Sequence, residues 1–288
     1  MKLVRYGAPG KEKPGVIAPD GTLRDLSALI TDIGPEVLDP AALDRLTALD
    51  TGSLPAVKGC PRFGPVISNV GKFIGVGLNY ADHAAESNQP IPTEPVIFMK
   101  ATSCIGGPDD PVRIPRGSRK TDWEVELGVV IGKRTRYIET SDALSAVAGY
   151  TIVNDLSERE FQLERGGTWD KGKCCDTFGP IGPWLVTRDE IADPQDLGLW
   201  LDVNDTPRQR GHTSRMIFTV AEIISYLSHF MTLEPGDLIT TGTPPGVGLG
   251  MKPNPVYLCP GDTIQLGISG LGTQRQEVVR WDGSRGDD

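Results

Sequence analysis

Three acidic residues raise the first chemical question. Glu124 and Glu126 interrupt the apolar stretch TDWEVELGVVIGK (121–133), and Asp155 follows the run AGYTIVN. In a β-strand, residues two apart project from the same face, so the two glutamates stand side by side. Like charges that close repel, and burial adds to the cost. Three carboxylates converging in a dry site require a cation. An oxygen-only ligand set suits Mg2+, Mn2+ or Ca2+ rather than zinc. The competing reading puts both glutamates on a solvated strand face and Asp155 in a turn.

Neighbouring polar residues bear on that choice. Arg159 lies four residues after Asp155, and Gln162 three further on. A helical turn there would bring Asp155, Arg159 and Gln162 to one side. Lys173 follows in a Gly-rich loop. Upstream, NYADHAAESNQP spaces His83 and Glu86 at i and i+3 on a short helix that Pro90 would stop. A histidine with an orienting carboxylate can act as a general base, although exposed pairs of this kind are common.

Other motifs fall away. Gly167 to Lys173 has P-loop spacing, but Cys174 stands where Ser or Thr should bind Mg2+. Gly75-Val-Gly77 lacks the third glycine of a dinucleotide fingerprint. Neither a G-x-S-x-G elbow nor an H-E-x-x-H helix occurs. The 5 cysteines form no C-x-x-C pair, and with 3 histidines a His-rich metal site is not expected.

The elements that must position these residues are mostly strands. The 288 residues include 35 Gly and 24 Pro, which favours turns and short strands. Apolar runs recur at 73–78, 96–100, 123–131, 148–155, 197–204, 237–242, 262–268 and 276–281. One long helix stands out at 219–231, with Thr219 and Glu222 as a capping box. Residues 1–70 read as a small α/β module. It has a hairpin from Lys2–Tyr6 and Gly15–Ile17, then a helix Ala41–Leu49 begun by Asp39-Pro40. A Pro/Gly-rich connector leads to a second domain, 71–288. Strands and helices do not alternate regularly, so a mixed, mostly antiparallel α+β fold is expected. The net charge of −9, without a basic run, argues against nucleic acid. No apolar run approaches the roughly 20 residues needed to span a bilayer. The N-terminus lacks the apolar core of a signal peptide, so a cytoplasmic location is the expectation.

Together these stretches resemble the fumarylacetoacetate hydrolase superfamily. The matching segments are GKFIGVGLNYADHAAE (71–86), PVIFMK (95–100), DWEVELGVVIGK (122–133), AGYTIVNDLSEREFQ (148–162), WDKGKCCDTFGPIGPW (169–184), LEPGDLITTGTPPGVG (233–248) and PGDTI (260–264). The resemblance implies a mixed β-sheet roll, commonly dimeric or of higher homo-oligomeric order. It implies that Glu124, Glu126 and Asp155 bind Mg2+, with Mn2+ or Ca2+ as alternatives. His83 and Glu86 would form the catalytic dyad on a lid made by residues 80–95, with Lys173 stabilising an oxyanion. Arg159, Gln162, Thr243 and Lys100 match substrate-binding positions. The loop TPPGVG lacks the acid that the eponymous hydrolases pair with their histidine, and Glu86 is expected to replace it.

The implied reaction is hydrolysis of a carbon–carbon bond in a 2,4-dioxo acid, to pyruvate and a second acid. A 2,4-diketo-3-deoxy-L-rhamnonate or -fuconate, giving lactate, is the favoured substrate. Oxaloacetate decarboxylation and isomerisation or decarboxylation of other dioxo acids are the alternatives. Ureidoglycolate cleavage and a non-catalytic homologue rank below them.

Overall fold

The computed structural model describes residues 1–86 and 89–282. The chain begins with strands β1 (Lys2–Tyr6), β2 (Lys13–Ile17) and β3 (Leu23–Asp25) and helices α1 (Pro35–Leu38) and α2 (Pro40–Thr47). Next come β4 (Phe73–Gly77), α3 (Ala81–Glu86), β5 (Val96–Lys100), β6 (Ile105–Gly106), β7 (Val112–Ile114) and β8 (Thr121–Asp122). The long strands β9 (Val125–Ile131) and β10 (Val147–Asn154) lead to β11 (Ser157–Glu158), α4 (Arg159–Leu163), α5 (Asp170–Lys173) and β12 (Gly179–Thr187). The remainder is β13 (Gly198–Val203), β14 (Thr206–His212), α6 (Val220–Phe230), β15 (Leu238–Thr240), β16 (Thr263–Ile268) and β17 (Gly272–Arg280).

A ten-stranded sheet runs β3-β2-β1-β12-β10-β9-β15-β4-β5, with β6 paired to β12. A five-stranded sheet runs β14-β13-β16-β17-β7. Most pairs are antiparallel, while β15–β4, β12–β6 and β17–β7 are parallel. This is the mixed-sheet α+β fold expected. The first strands extend the large sheet, because β1 is hydrogen-bonded to β12. The residues expected to begin the second helix do so: the Asp39 side chain accepts from Ala41 N. The proposed 71–288 segment ends in residues 283–288, which lie outside the described residues.

Burial explains the strand sequences. Every residue of β9 and β10 is buried, so both strands are rich in Val and Ile on both faces. In β13 burial alternates: Leu199, Leu201 and Val203 are buried, while Trp200 and Asp202 between them are half-buried. Two buried glutamines fasten the five-stranded sheet to the site-bearing strands. Gln274 Nε2 donates to Ile152 O at 2.9 Å, and Gln276 Oε1 accepts from Asn154 Nδ2 at 3.0 Å. On α6, Thr219 and Glu222 close the capping box, and Val220, Ile223, Ile224 and Leu227 face the core.

Candidate active site

The three acids converge because of strand register. In the antiparallel β9–β10 ladder, Val125 pairs with Asn154 and Glu126 with Val153. One step further along, Asp155 stands opposite Glu124, and Asp155 N donates to Glu124 O at 2.9 Å. Asn154 Oδ1 accepts from Glu124 N at 3.2 Å and fixes the strand end. Glu124, Glu126 and Asp155 each offer an oxygen within 4.8 Å of the others, and all three are buried.

Their partners divide unevenly. Lys173 Nζ lies 2.6 Å from Glu124 Oε2 and 2.7 Å from Asp155 Oδ2. Arg159 NH2 reaches Glu124 Oε1 at 2.6 Å. Burial alone would raise the Glu124 carboxyl, but Lys173 and Arg159 overcome it and hold it well below the usual carboxylate range. Glu126 has no such cation. Its Oε2 accepts from Thr240 Oγ1 at 2.5 Å and from Gly242 N at 2.7 Å, where Gly242 turns with φ +93. Burial first, then Asp155 and Glu124, push its carboxyl well above the ordinary value.

These residues fit a divalent cation. Asp155 Oδ1 is buried and takes no hydrogen bond, although Lys100 Nζ lies 2.7 Å away. The four buried acids Asp122, Glu124, Glu126 and Asp155 face three buried cations, Lys100, Arg159 and Lys173. With all seven groups ionised, one negative charge is left over. A divalent ion held by Glu124, Glu126 and Asp155 would reverse that balance to one positive charge, which suits an anionic substrate.

A cavity of about 190 Å³ opens onto the carboxylates and is also lined by His83, Gln162, Lys173 and Thr243. His83 is on α3, and its Nδ1 is 3.4 Å from Glu86 Oε2. The Glu86 carboxylate accepts from Gly246 N at 3.0 and 3.1 Å. Gly250 leaves room for it, since a Cβ there would meet Glu86 Cδ at 2.2 Å. The acid-free TPPGVG loop thus receives Glu86 through a backbone amide. The remainder of the 80–95 segment expected as a lid includes residues 87–88, outside the described residues.

Three expected positions differ. Lys100 does not line the cavity. It ends β5 facing the interior and donates to Lys173 O at 2.5 Å, so it stands behind Asp155. Thr243 lines the cavity, but its hydroxyl donates to Val125 O at 2.9 Å and accepts from Gln209 Nε2 at 2.8 Å. That hydroxyl pins its loop to β9. Asp155 is not on a helix with Arg159 and Gln162. The short strand β11 intervenes, and α4 starts at Arg159. Arg159 and Gln162 do meet, with NH1 donating to Oε1 at 3.0 Å. Gln162 Nε2 has no partner among the described residues and remains available to a ligand.

Asp122 was missed. It is fully buried and accepts from Arg159 Nε at 2.8 Å, Gly248 N at 2.7 Å and Leu249 N at 2.9 Å. It therefore ties the guanidinium that holds Glu124 to the loop that holds Glu86. The signal was present, since Asp122, Glu124 and Glu126 follow one strand alternation. Gln209 of β14 was also missed: it accepts from Val125 N at 3.0 Å and donates to Pro244 O at 2.7 Å.

A family model described as the C-terminal part of fumarylacetoacetate hydrolase matches residues 72–279. A Burkholderia multivorans protein, assigned provisionally to the hydrolases with no substrate in its name, is 62% identical over 276 residues. That match covers 96% of this chain and 98% of the relative. Among solved structures, maleylpyruvate hydrolase from Sphingobium sp. SYK-6, in complex with manganese(II) and pyruvate, is 30% identical with a TM-score of 0.79. The alignment covers 97% of this chain and 99% of that one. The 2-hydroxyhepta-2,4-diene-1,7-dioate isomerase from Mycobacterium marinum is 33% identical with a TM-score of 0.72, over 99% of this chain and 100% of that one. With this match over most of its length and the same fold in its relatives, the chain belongs to the fumarylacetoacetate hydrolase family.

Proposed function

We propose that this protein hydrolyses the C3–C4 bond of a 2,4-dioxo acid, releasing pyruvate and the acid derived from the C4 acyl group. The observation that carries this reading is a buried, oxygen-only carboxylate cluster sharing one cavity with His83, whose Nδ1 faces Glu86. A relative solved with manganese(II) and pyruvate supports the product assignment. The favoured substrate is a 2,4-diketo-3-deoxy-L-sugar acid of the rhamnonate or fuconate type, which yields lactate.

A divalent cation bound by Glu124, Glu126 and Asp155 would supply Lewis-acid polarisation of the 2-oxo acid end. The chain's own groups supply the rest. Glu86 accepts from His83 Nδ1–H, which leaves Nε2 unprotonated and free to take a proton from water. The resulting hydroxide attacks the C4 carbonyl. Gln162 Nε2 and the Lys173 ammonium stabilise the oxyanion. The C3–C4 bond then breaks, its electron pair stays with the three-carbon fragment, and protonation at C3 completes pyruvate.

The test is a screen of acylpyruvates, diketo-deoxy sugar acids and oxaloacetate with Mg2+ or Mn2+, in which pyruvate and the second product are both identified. Pyruvate with lactate supports the sugar-acid assignment. Pyruvate with CO2 selects the decarboxylase. The isomerase among the relatives favours a second reading, tautomerisation or isomerisation without cleavage. In that case an unsaturated dioxo acid would change its absorbance and release no pyruvate. Full hydrolysis after exhaustive chelation would sink the metal-dependent mechanism.

A further inference from the structure

The cavity has two unlike ends. At the inner end are Glu124, Glu126 and Asp155 with Lys173. The outer wall is mostly apolar, formed by Leu78, Leu163, Trp169 and Leu249 with the uncharged amide of Gln89, and Phe98 stands against Trp169 at a ring separation of 5.7 Å. Two glycines of β4 make room for these rings. A Cβ on Gly75 would meet Phe98 Cζ at 2.2 Å, and one on Gly77 would meet Trp169 Cζ3 at 2.3 Å.

No free cation serves that outer end among the described residues. Arg159 and Lys173 line the cavity, but both are engaged by the buried carboxylates. Arg165 turns onto Glu160 at 2.6 Å, and Lys171 Nζ donates to the carbonyls of Arg165 and Gly166 at 3.0 and 2.8 Å. Arg208 does not line the cavity and sits over the Trp123 ring, 5.8 Å from its centroid. The sequence of the bordering segment adds a second argument. Residues 81–95, ADHAAESNQPIPTEP, contain no Lys or Arg, while Asp82, Glu86 and Glu94 are acidic. That segment supplies no lysine or arginine to the cavity.

We infer that the substrate's C4 acyl group is compact, uncharged and alkyl-terminated, and that Leu163 and Leu249 are specificity-determining residues that disfavour a second carboxylate. The inference rests on the dioxo-acid hydrolase reading and narrows it. A distal carboxylate placed against these leucines loses water and gains no cationic partner among the described residues. A methyl-terminated group, including the lactoyl group of a 6-deoxy sugar acid, buries its methyl there and gives up little. The substrate is thereby separated from the dioate named for the isomerase relative.

The experiment compares butanoylpyruvate with succinylpyruvate, two substrates of similar length that differ in a terminal carboxylate, using the Mn2+-loaded enzyme. The substrate with the uncharged acyl group should show at least about tenfold higher kcat/KM, the order expected when one substrate leaves a charge unpaired. Leu163→Lys changes a side chain that is 51% exposed, so the fold tolerates it, and it should raise kcat/KM for succinylpyruvate and narrow the ratio. Leu249→Arg should act in the same direction. Equal cleavage of the two substrates by the wild type overturns the inference while leaving the hydrolase reading intact. An unchanged ratio in both variants likewise overturns the role given to the leucines. Pyruvate from neither substrate overturns the hydrolase reading and this inference with it.

Discussion

Asp122 accepts hydrogen bonds from Arg159 Nε, Gly248 N, Leu249 N and Trp123 N. All four partners are donors, so an asparagine would turn its own NH2 against some of them. It would also leave Arg159 with Glu124 as its one remaining acidic partner. Breaking a buried pair of this kind costs about 3 kcal/mol. Asp122→Asn should therefore lower the urea midpoint and also reduce turnover, because both Glu124 and the Glu86 loop lose their tether. Unchanged stability in denaturant titration would contradict that linkage. The cysteines offer a second residue-scale check. Burial pushes the Cys104 thiol up to about 11 and the Cys175 thiol up to about 12, whereas Cys60 and Cys259 are exposed. A raised value means that the folded state holds the protonated thiol, and thiolate appears only as the pH climbs toward that value. At pH 8 roughly one part in a thousand of Cys104 would be thiolate. Iodoacetamide followed by peptide mass mapping should find Cys60 and Cys259 modified first, with Cys104 and Cys175 labelled only on unfolding.

Individual elements differ in how openly the sequence declares them. The strands β9 and β10 were legible because both are continuous apolar runs, and α6 because Thr219 and Glu222 cap it. Their pairing register, which sets Asp155 opposite Glu124, is a non-local fact that spacing alone does not contain. The strand β12, GPIGPWLVT, is absent from the apolar runs the sequence shows, because its prolines are disfavoured inside sheets. It is nonetheless central, lying between β1 and β10, and its pairing with β10 shifts register where Pro183 falls. The hairpin β13–β14 turns at Asn204 and Asp205, both with positive φ, without the Asn-Gly pair that usually signals such a turn. Gln209 was missed for that reason. Two predictions belong here. Thr219→Ala removes the α6 cap and should cost about 1 kcal/mol in thermal or urea unfolding while leaving kcat unchanged. Gly77→Ala places a Cβ 2.3 Å from Trp169 Cζ3. It should raise KM by displacing that ring and cost about 1–3 kcal/mol through overpacking.

At the scale of the whole molecule, the site depends on elements that the sequence pattern sets apart. Leu3, Val16, Leu26, Ile33 and Leu38 belong to the same buried cluster as Val125, Val129, Ile152 and Leu185. Through β1, the first segment also covers the edge of β12, with Lys2 opposite Val186 and Leu3 opposite Leu185. On its other side β12 supports β10, the strand whose end presents Asp155. Removing residues 1–70 would therefore uncover a row of backbone donors and acceptors one strand away from the carboxylate cluster, together with an apolar face. An edge of that kind invites pairing with other chains. A fragment of residues 71–288 should be recovered as aggregate, or show a broad unfolding transition, by size-exclusion chromatography and far-UV circular dichroism. A monomeric fragment with a sharp transition and full Mn2+ binding would mean instead that the first seventy residues fold as a separate body, and that β12 holds β10 in register without them.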